Sequence, residues 1–321
     1  MPAEGILPAA LRSYCMKKQK TKKKKLVWGS SQLSYYLMTV PGLIFIILFS
    51  YVPMFGIVMA FQDYIPAKGI WGSKFAGMEN FAYMFSMPES FRIFRNTLCI
   101  ALGKIVFGTL AAIIFSILLN EIRMKLFKKT VQTIVYLPHF ISWVILASVI
   151  KNMLNVDGSV NHILVQMGAE SVNFLGDNTY FPLMLIFTDV WKEFGYNSIV
   201  YLAALTSIDP GLYEAATIDG ASWWQRVVHV TLPGILPIIF LMSAMNLSNI
   251  LNAGFDQVYN LVTPIVYESG DILDTWIYRI GLISRQYSLG TAVGLLKSVV
   301  GLILMLGANE MAKRYTDRKI F

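Results

Sequence analysis

Three groups of residues have types and spacings that could do chemistry. The first is Glu214, Ala215, Ala216, Asp219 and Gly220, two carboxylates and two small side chains ahead of a glycine. Carboxylates on a smooth alanine face suit docking against a basic partner, because nothing bulky holds the two surfaces apart. The second is Asn246, Asn249 and Asn252, which recur every three residues and share a helical stripe with Ser243. Amides both donate and accept, as sugar hydroxyls require, although hydrogen bonds between helices would use any one of them equally well. Trp191, Tyr196 and Asn197 could cover an apolar sugar face while the amide binds its rim, and Trp and Tyr are also ordinary packing residues. The third group is Lys104, Asp189, Lys192, Glu193 and Lys297, charges set in apolar surroundings. Unpaired charges there are expensive, so Lys104 or Lys297 is expected to pair with Asp189 or Glu193 and brace the helices. Sensing a substrate or relaying protons is the alternative use.

Catalytic constellations are not apparent. Gly294-Leu-Leu-Lys297-Ser298 lacks the glycine before lysine that a phosphate-cradling loop needs, and it lies in an apolar helix. His139, His162 and His229 are scattered, without the spacing of a metal site, and no Gly-x-Ser-x-Gly nucleophile elbow occurs. The chain is expected to be no enzyme and to hold no metal or cofactor of its own, so any energy must come from a partner.

The elements that position these residues are membrane helices. Of 321 residues, 55% are hydrophobic and 14% charged, with a mean hydropathy of +0.55. Soluble domains carry roughly 25% charged residues. The apolar residues gather in runs of about 20 or more, the length that crosses a hydrocarbon core of roughly 30 Å. Six spans are expected, at about 35 to 60, 96 to 119, 131 to 150, 181 to 206, 231 to 255 and 288 to 309. Residues 1 to 34 then form a basic cytoplasmic tail, 35 to 315 a transmembrane domain and 316 to 321 a short cytoplasmic tail.

Charge sets the orientation. The net +8 is concentrated at Lys17, Lys18, Lys20 and Lys22 to Lys25, beside the first apolar run, where a polybasic flank stays on the cytoplasmic side. With both termini inside, internal segments hold 17 Lys or Arg and external ones 7. The uncharged run from 26 to 62 is too long for a signal peptide's apolar region of roughly 7 to 15 residues. The stretch opening at Met16 looks more like a natural start than residues 1 to 15. Cys15 and Cys99 imply no disulfide framework.

One internal segment, 207 to 230, departs from the positive bias, with a single Arg and three acids. Asp209-Pro210 reads as a helix cap followed by a first-turn proline, and Gly220 can end the helix with φ > 0. A second short helix from Ala221 should run until Leu232-Pro233 turns the chain into the membrane. The segment is thus a compact helical knob on the cytoplasmic side.

Glu214-Ala-Ala-x-x-x-Gly220, nine residues, then Val230-x-Leu232-Pro233 resembles the EAA signature of permease subunits of bacterial ATP-binding-cassette importers, with Val230 where Ile is usual. Asn120-Glu-Ile-Arg123, Tyr136-Leu-Pro-His-Phe-Ile-Ser-Trp143, Tyr201-Leu-Ala-Ala204 and Asn249-Ile-Leu-Asn-Ala-Gly-Phe-Asp-Gln257 are similar to its carbohydrate-uptake branch, especially alginate-permease-like members. The likeness runs from Tyr35 to Arg314. It implies an all-α integral membrane fold, the six-helix transmembrane permease of the type I, maltose-permease-like kind. It also implies a heterodimer with a second permease, two ATPase subunits that bind ATP and Mg, and an extracytoplasmic sugar-binding protein docking on external loops, with no nucleic-acid partner. In that family the loop seats in an ATPase cleft, with the Glu pairing a basic residue and the Gly permitting the bend; by motif position these are Glu214 and Gly220. The expected function is import of oligosaccharide or polysaccharide fragments across a bacterial plasma membrane. An ion-gradient-driven secondary transporter is the alternative.

Overall fold

A computed structural model describes residues 30 to 316, with side chains from 33 to 310. The basic run Lys17 to Lys25, Cys15, Met16 and residues 317 to 321 lie outside the described residues. The chain divides into two units, Met1–Phe55 and Gly56–Phe321. The first contains α1 (Ser30–Ile46), continued by a wider π turn at Ile47–Tyr51 and a last turn at Val52–Met54. Its described side chains are exposed and almost wholly apolar, including Leu43, Phe45, Leu48 and Phe49.

The second unit is built on α2 (Glu79–Ser86), α3 (Pro88–Glu121), α4 (Lys125–Tyr136), α5 (Trp143–Leu154), α6 (Tyr180–Leu205), α7 (Pro210–Ile218), α8 (Trp223–Arg226), α9 (Leu232–Ser248), α10 (Phe255–Leu261), α11 (Leu273–Tyr278) and α12 (Tyr287–Thr316). One small antiparallel pair, Gln62–Asp63 with Lys74–Phe75, precedes α2. Local chemistry starts the long helices. Pro88 opens α3 where its missing N–H costs nothing, and Glu89 meets the positive end of the helix dipole. Before α6, Asp177 accepts from the backbone N–H of Thr179 at 2.6 Å, and that bond holds its carboxyl below the usual carboxylate range.

Among the described residues, four helical runs can cross a bilayer by length and composition: Leu33–Phe61, Pro88–Glu121, Trp223–Ser248 and Tyr287–Glu310. They match the first, second, fifth and sixth expected spans. The fourth is α6, whose 26 residues reach about 39 Å but carry Asp189, Lys192 and Glu193. The third differs from expectation. Instead of one helix over 131 to 150, the segments Lys125–Phe140 and Trp143–Gln166 meet at a bend of 101°. Pro138 opens a single 3-10 turn at Leu137–Phe140, and the Ser142 hydroxyl caps α5 by accepting from the N–H of Ile145. Proline and a new cap together end one helix and start another.

The fifth span also departs from expectation at both ends. Leu232-Pro233 makes no break: a π turn at Val227–Thr231 joins α8 to α9, so the helix runs from Trp223 through the proline. Widening the turn accommodates the missing N–H. At the other end α9 stops at Ser248, short of 255, and residues 249 to 254 form a turn that leads into α10.

The α3–α6 pair forms the spine of this unit, with two apolar clusters along it. One joins Ile93, Ile100 and Ala101 of α3 with Phe181 and Leu185 of α6 and with Leu146 of α5. The other joins Ala112, Ile113 and Ile117 with Tyr201, Leu205, Val227 and Ile235. Between them in sequence, on both helices, come Lys104 on α3 and Asp189 to Asn197 on α6. The polar residues therefore occupy the gap between two cores.

Candidate functional site

That gap is a cleft of about 220 Å³ lined by Lys104, Asp189, Glu193, Asn197, Asn246, Asn249 and Asn252, together with Thr109, Tyr201 and mostly apolar residues. Three elements supply these side chains: α3, α6, and the end of α9 with its following turn. Asn246 ends the helical stripe proper, while Asn249 and Asn252 lie in the turn. Asn249 Nδ2 donates to the Met245 carbonyl at 3.2 Å and Asn252 Nδ2 to Asn249 Oδ1 at 3.5 Å. Asn197 and Asn246 make no side-chain hydrogen bond among the described residues, and their amides are open to the cleft.

Lys104 holds this turn in place. Its Nζ lies 3.1 Å from Asp189 Oδ1 and donates to the Ala253 carbonyl at 2.7 Å and to Gln257 Oε1. Gln257 is fully buried, and its Nε2 donates to the Leu185 carbonyl and to Thr188 Oγ1, each at 2.8 Å. One ammonium thus ties α3, α6 and the turn into α10. Gly254 makes the approach possible: it has φ of +93°, and a Cβ there would stand 2.8 Å from the lysine Nζ.

The other intramembrane charges are paired differently from expectation. Glu193 engages Lys192 at 2.9 Å and His139 Nδ1 at 2.7 Å. Lys192 also donates to the His139 carbonyl at 2.7 Å. Lys297 pairs with Asp274 at 2.5 Å rather than with α6, and donates to Asn252 Oδ1 at 2.7 Å. It lies in a separate polar pocket with Ser248, Asn249, Asn252 and Ser298, so Asn249 and Asn252 line both pockets. Among the expected aromatics, Tyr196 stacks on the His139 ring with centroids 3.8 Å apart. Trp191 is outside the cleft, in an apolar groove with Met153, Tyr180 and Phe187. His139, Gln257 and Asp274 were not singled out as site residues from sequence. A histidine beside Pro138 and a glutamine just after Gly254 are the signals that mark the first two.

The 207 to 230 segment forms a second site. Asp209 caps α7 by accepting from the N–H of Gly211 at 2.9 Å, with Pro210 in the first turn. Gly220, at φ of +76°, ends it in a Schellman arrangement: the N–H of Ala221 donates to the Ala216 carbonyl and that of Gly220 to the Thr217 carbonyl. Ser222 and Gln225 close a reciprocal capping box on α8. Arg226 donates to Thr217 Oγ1 at 3.0 Å, and the Tyr213 hydroxyl lies 3.1 Å from that of Thr231. The short helices are thereby tied to each other and to the base of the fifth span. Glu214, Ala215 and Asp219 are exposed, and Ala216, Asp219 and Gly220 line a shallow groove with Arg226 and His229. Among the described residues neither carboxylate is in an ion pair.

Known proteins resemble this chain in sequence and fold. The chain is 43% identical over 306 residues to the polygalacturonan/rhamnogalacturonan transport system permease protein YteP of Bacillus subtilis (strain 168), covering 94% of this chain and 95% of that protein. It is 40% identical to LplB of the same organism, over 89% of this chain and 90% of that one. Its fold matches a chain of a bacterial alginate ABC transporter, crystallised with an alginate pentasaccharide-bound periplasmic protein, at a TM-score of 0.83 and 38% identity, covering 90% of this chain and 97% of that chain. Residues 104 to 316, which contain both the cleft and the paired short helices, match a family model, and the chain belongs to the family of binding-protein-dependent transport system inner membrane components.

Proposed function

We propose that this chain is one permease subunit of an ATP-driven importer of oligosaccharides or polysaccharide fragments. The observation that carries the proposal is the cleft between the two cores, where the free amides of Asn197 and Asn246 stand beside Asn249 and Asn252. Its volume of about 220 Å³ falls below the roughly 300 to 1,000 Å³ of complete small-molecule sites. That shortfall supports a second, similar permease supplying the facing wall. Relatives named for polygalacturonan/rhamnogalacturonan and alginate transport support the carbohydrate class.

In this proposal both termini are cytoplasmic, and two ATPase subunits hold ATP and Mg on that side. They grip the α7–α8 knob, with Glu214 against a basic residue, Ala215 and Ala216 allowing close approach, and Asp219 and Gly220 shaping the bend. When ATP closes the ATPase pair, the knob moves. Because α8 is continuous with the fifth span, displacement passes directly to the helix bearing Asn246. An extracytoplasmic binding protein docks on the external loops, with 256 to 287 the candidate, and releases sugar into the cleft.

The test is isolation with native companions, followed by reconstitution. Sugar uptake that requires ATP, the ATPase and the binding protein is the expected result. Accumulation driven by an ion gradient with this chain alone would replace the proposal with a secondary transporter.

A further inference from the structure

The ion pairs of the cleft are asymmetric in depth. Lys104 is 9% exposed at its side chain against 22% for its partner Asp189, and Lys192 is 6% exposed against 28% for Glu193. In each pair the ammonium donates to a backbone carbonyl, of Ala253 and His139 respectively, and the carboxylate is the more exposed partner. The remaining polar groups on this wall are uncharged: the amides of Asn197, Asn246, Asn249 and Asn252 and the hydroxyls of Thr109 and Tyr201. Lys297, in the adjoining pocket, is taken by Asp274 and by Asn252. A sugar entering therefore meets carboxylates, amides and hydroxyls, while Lys104 and Lys192 are already engaged by carboxylates and backbone carbonyls.

From this, and resting on the carbohydrate proposal above, we infer that Asp189 and Glu193 are specificity-determining residues that fit this wall to uncharged sugar units. Sugar hydroxyls donate well to carboxylates, and a charge-assisted bond is the stronger kind. A uronate placed here brings a third carboxylate beside two, and the lysines beside them, Lys104 and Lys192, are already paired with Asp189 and Glu193. Like charges brought together in a site of reduced dielectric oppose binding. Any acidic group of an imported fragment is thus directed away from this subunit.

The reconstituted complex, with its own binding protein and ATPase, is offered free-acid oligogalacturonides and their methyl esters at equal chain length, beside a panel of neutral oligosaccharides. The ester exchanges each charged carboxylate for a neutral group that is larger by one methyl. Because the same receptor delivers both, its preference cancels when the acid-to-ester uptake ratio is compared between variants. Glu193→Gln raises that ratio roughly tenfold by removing one repelling carboxylate, and Asn246→Asp lowers it by a similar factor by adding one. The second variant leaves every ion pair intact, so it reports even if Glu193→Gln disturbs the contacts to Lys192 and His139. A ratio unmoved in both overturns the inference while leaving sugar import standing. If no saccharide of the panel is taken up or stimulates ATP hydrolysis, the carbohydrate proposal falls and this inference with it.

Discussion

The helical knob of α7 and α8 and the membrane cleft are made in opposite ways. Every feature that shapes α7 and α8 comes from within about twenty residues: Asp209 starts one helix, Gly220 ends it, Ser222 and Gln225 start the next. The knob is exposed, and its groove is shallow. The cleft is assembled from distant parts, with Lys104 reaching 149 residues along the chain to the Ala253 carbonyl and Gln257 reaching back 72 to that of Leu185. A surface meant to fit another protein can be specified locally and left open. A polar site inside a membrane must have each charge matched by the fold around it.

The sharpest way to break this contrast is to change the knob and look for damage elsewhere. Gly220→Pro cannot adopt the positive φ the bend requires, and Glu214→Ala removes the carboxylate proposed to dock. Each is expected to abolish substrate-stimulated ATP hydrolysis while membrane insertion and thermal midpoint stay at wild-type values. A lowered midpoint would show that the knob is part of the core. The reverse change is Lys104→Met, which strands Asp189 without its partner and should cost about 3 to 5 kcal/mol, seen as a large drop in thermal midpoint and poor assembly. Adding Asp189→Leu should restore much of the loss, and if it does not, the ion pair is not the brace.

Smaller effects sharpen the comparison. Asn246→Ala deletes an amide that bonds to nothing else in the described chain, so stability should hold while the KM for uptake rises by roughly tenfold, the value of about one hydrogen bond to substrate. Ser222→Ala removes a cap worth about 1 kcal/mol. It should only loosen α8, reducing coupled ATP turnover by a few-fold, with protease sensitivity of the 207 to 230 segment as the independent readout.

Legibility followed the same divide. The caps and the terminating glycine of the knob could be read directly, because a capping residue acts on backbone groups two or three positions away. The cleft could be read only as an inventory. Three-residue spacing singled out Asn246, Asn249 and Asn252, but not that α9 stops and a turn carries the last two. Periodicity cannot distinguish a continuing helix from a turn when both are apolar. The pairing of Lys104 with Asp189 was among the expected combinations; that of Lys297 with Asp274 was not, because it depends on how α11 packs against α12. Trp191 lines an apolar groove outside the cleft, and residue type says nothing of azimuth. The bend after Tyr136 was masked by hydrophobic residues on both sides of Pro138, which made 131 to 150 look uninterrupted.

As a membrane component of a transport system the chain is no enzyme, and in the proposed function its work is mechanical. The bend at Leu137–Phe140 shows what that demands. A carbonyl released where a helix breaks normally turns to solvent; here Lys192 takes the one from His139, and the histidine ring is clamped between Glu193 and Tyr196. The elbow is therefore self-sealing. Drying its surroundings strengthens its fastenings instead of starving them, so lipid should stiffen this joint and flooding should slacken it.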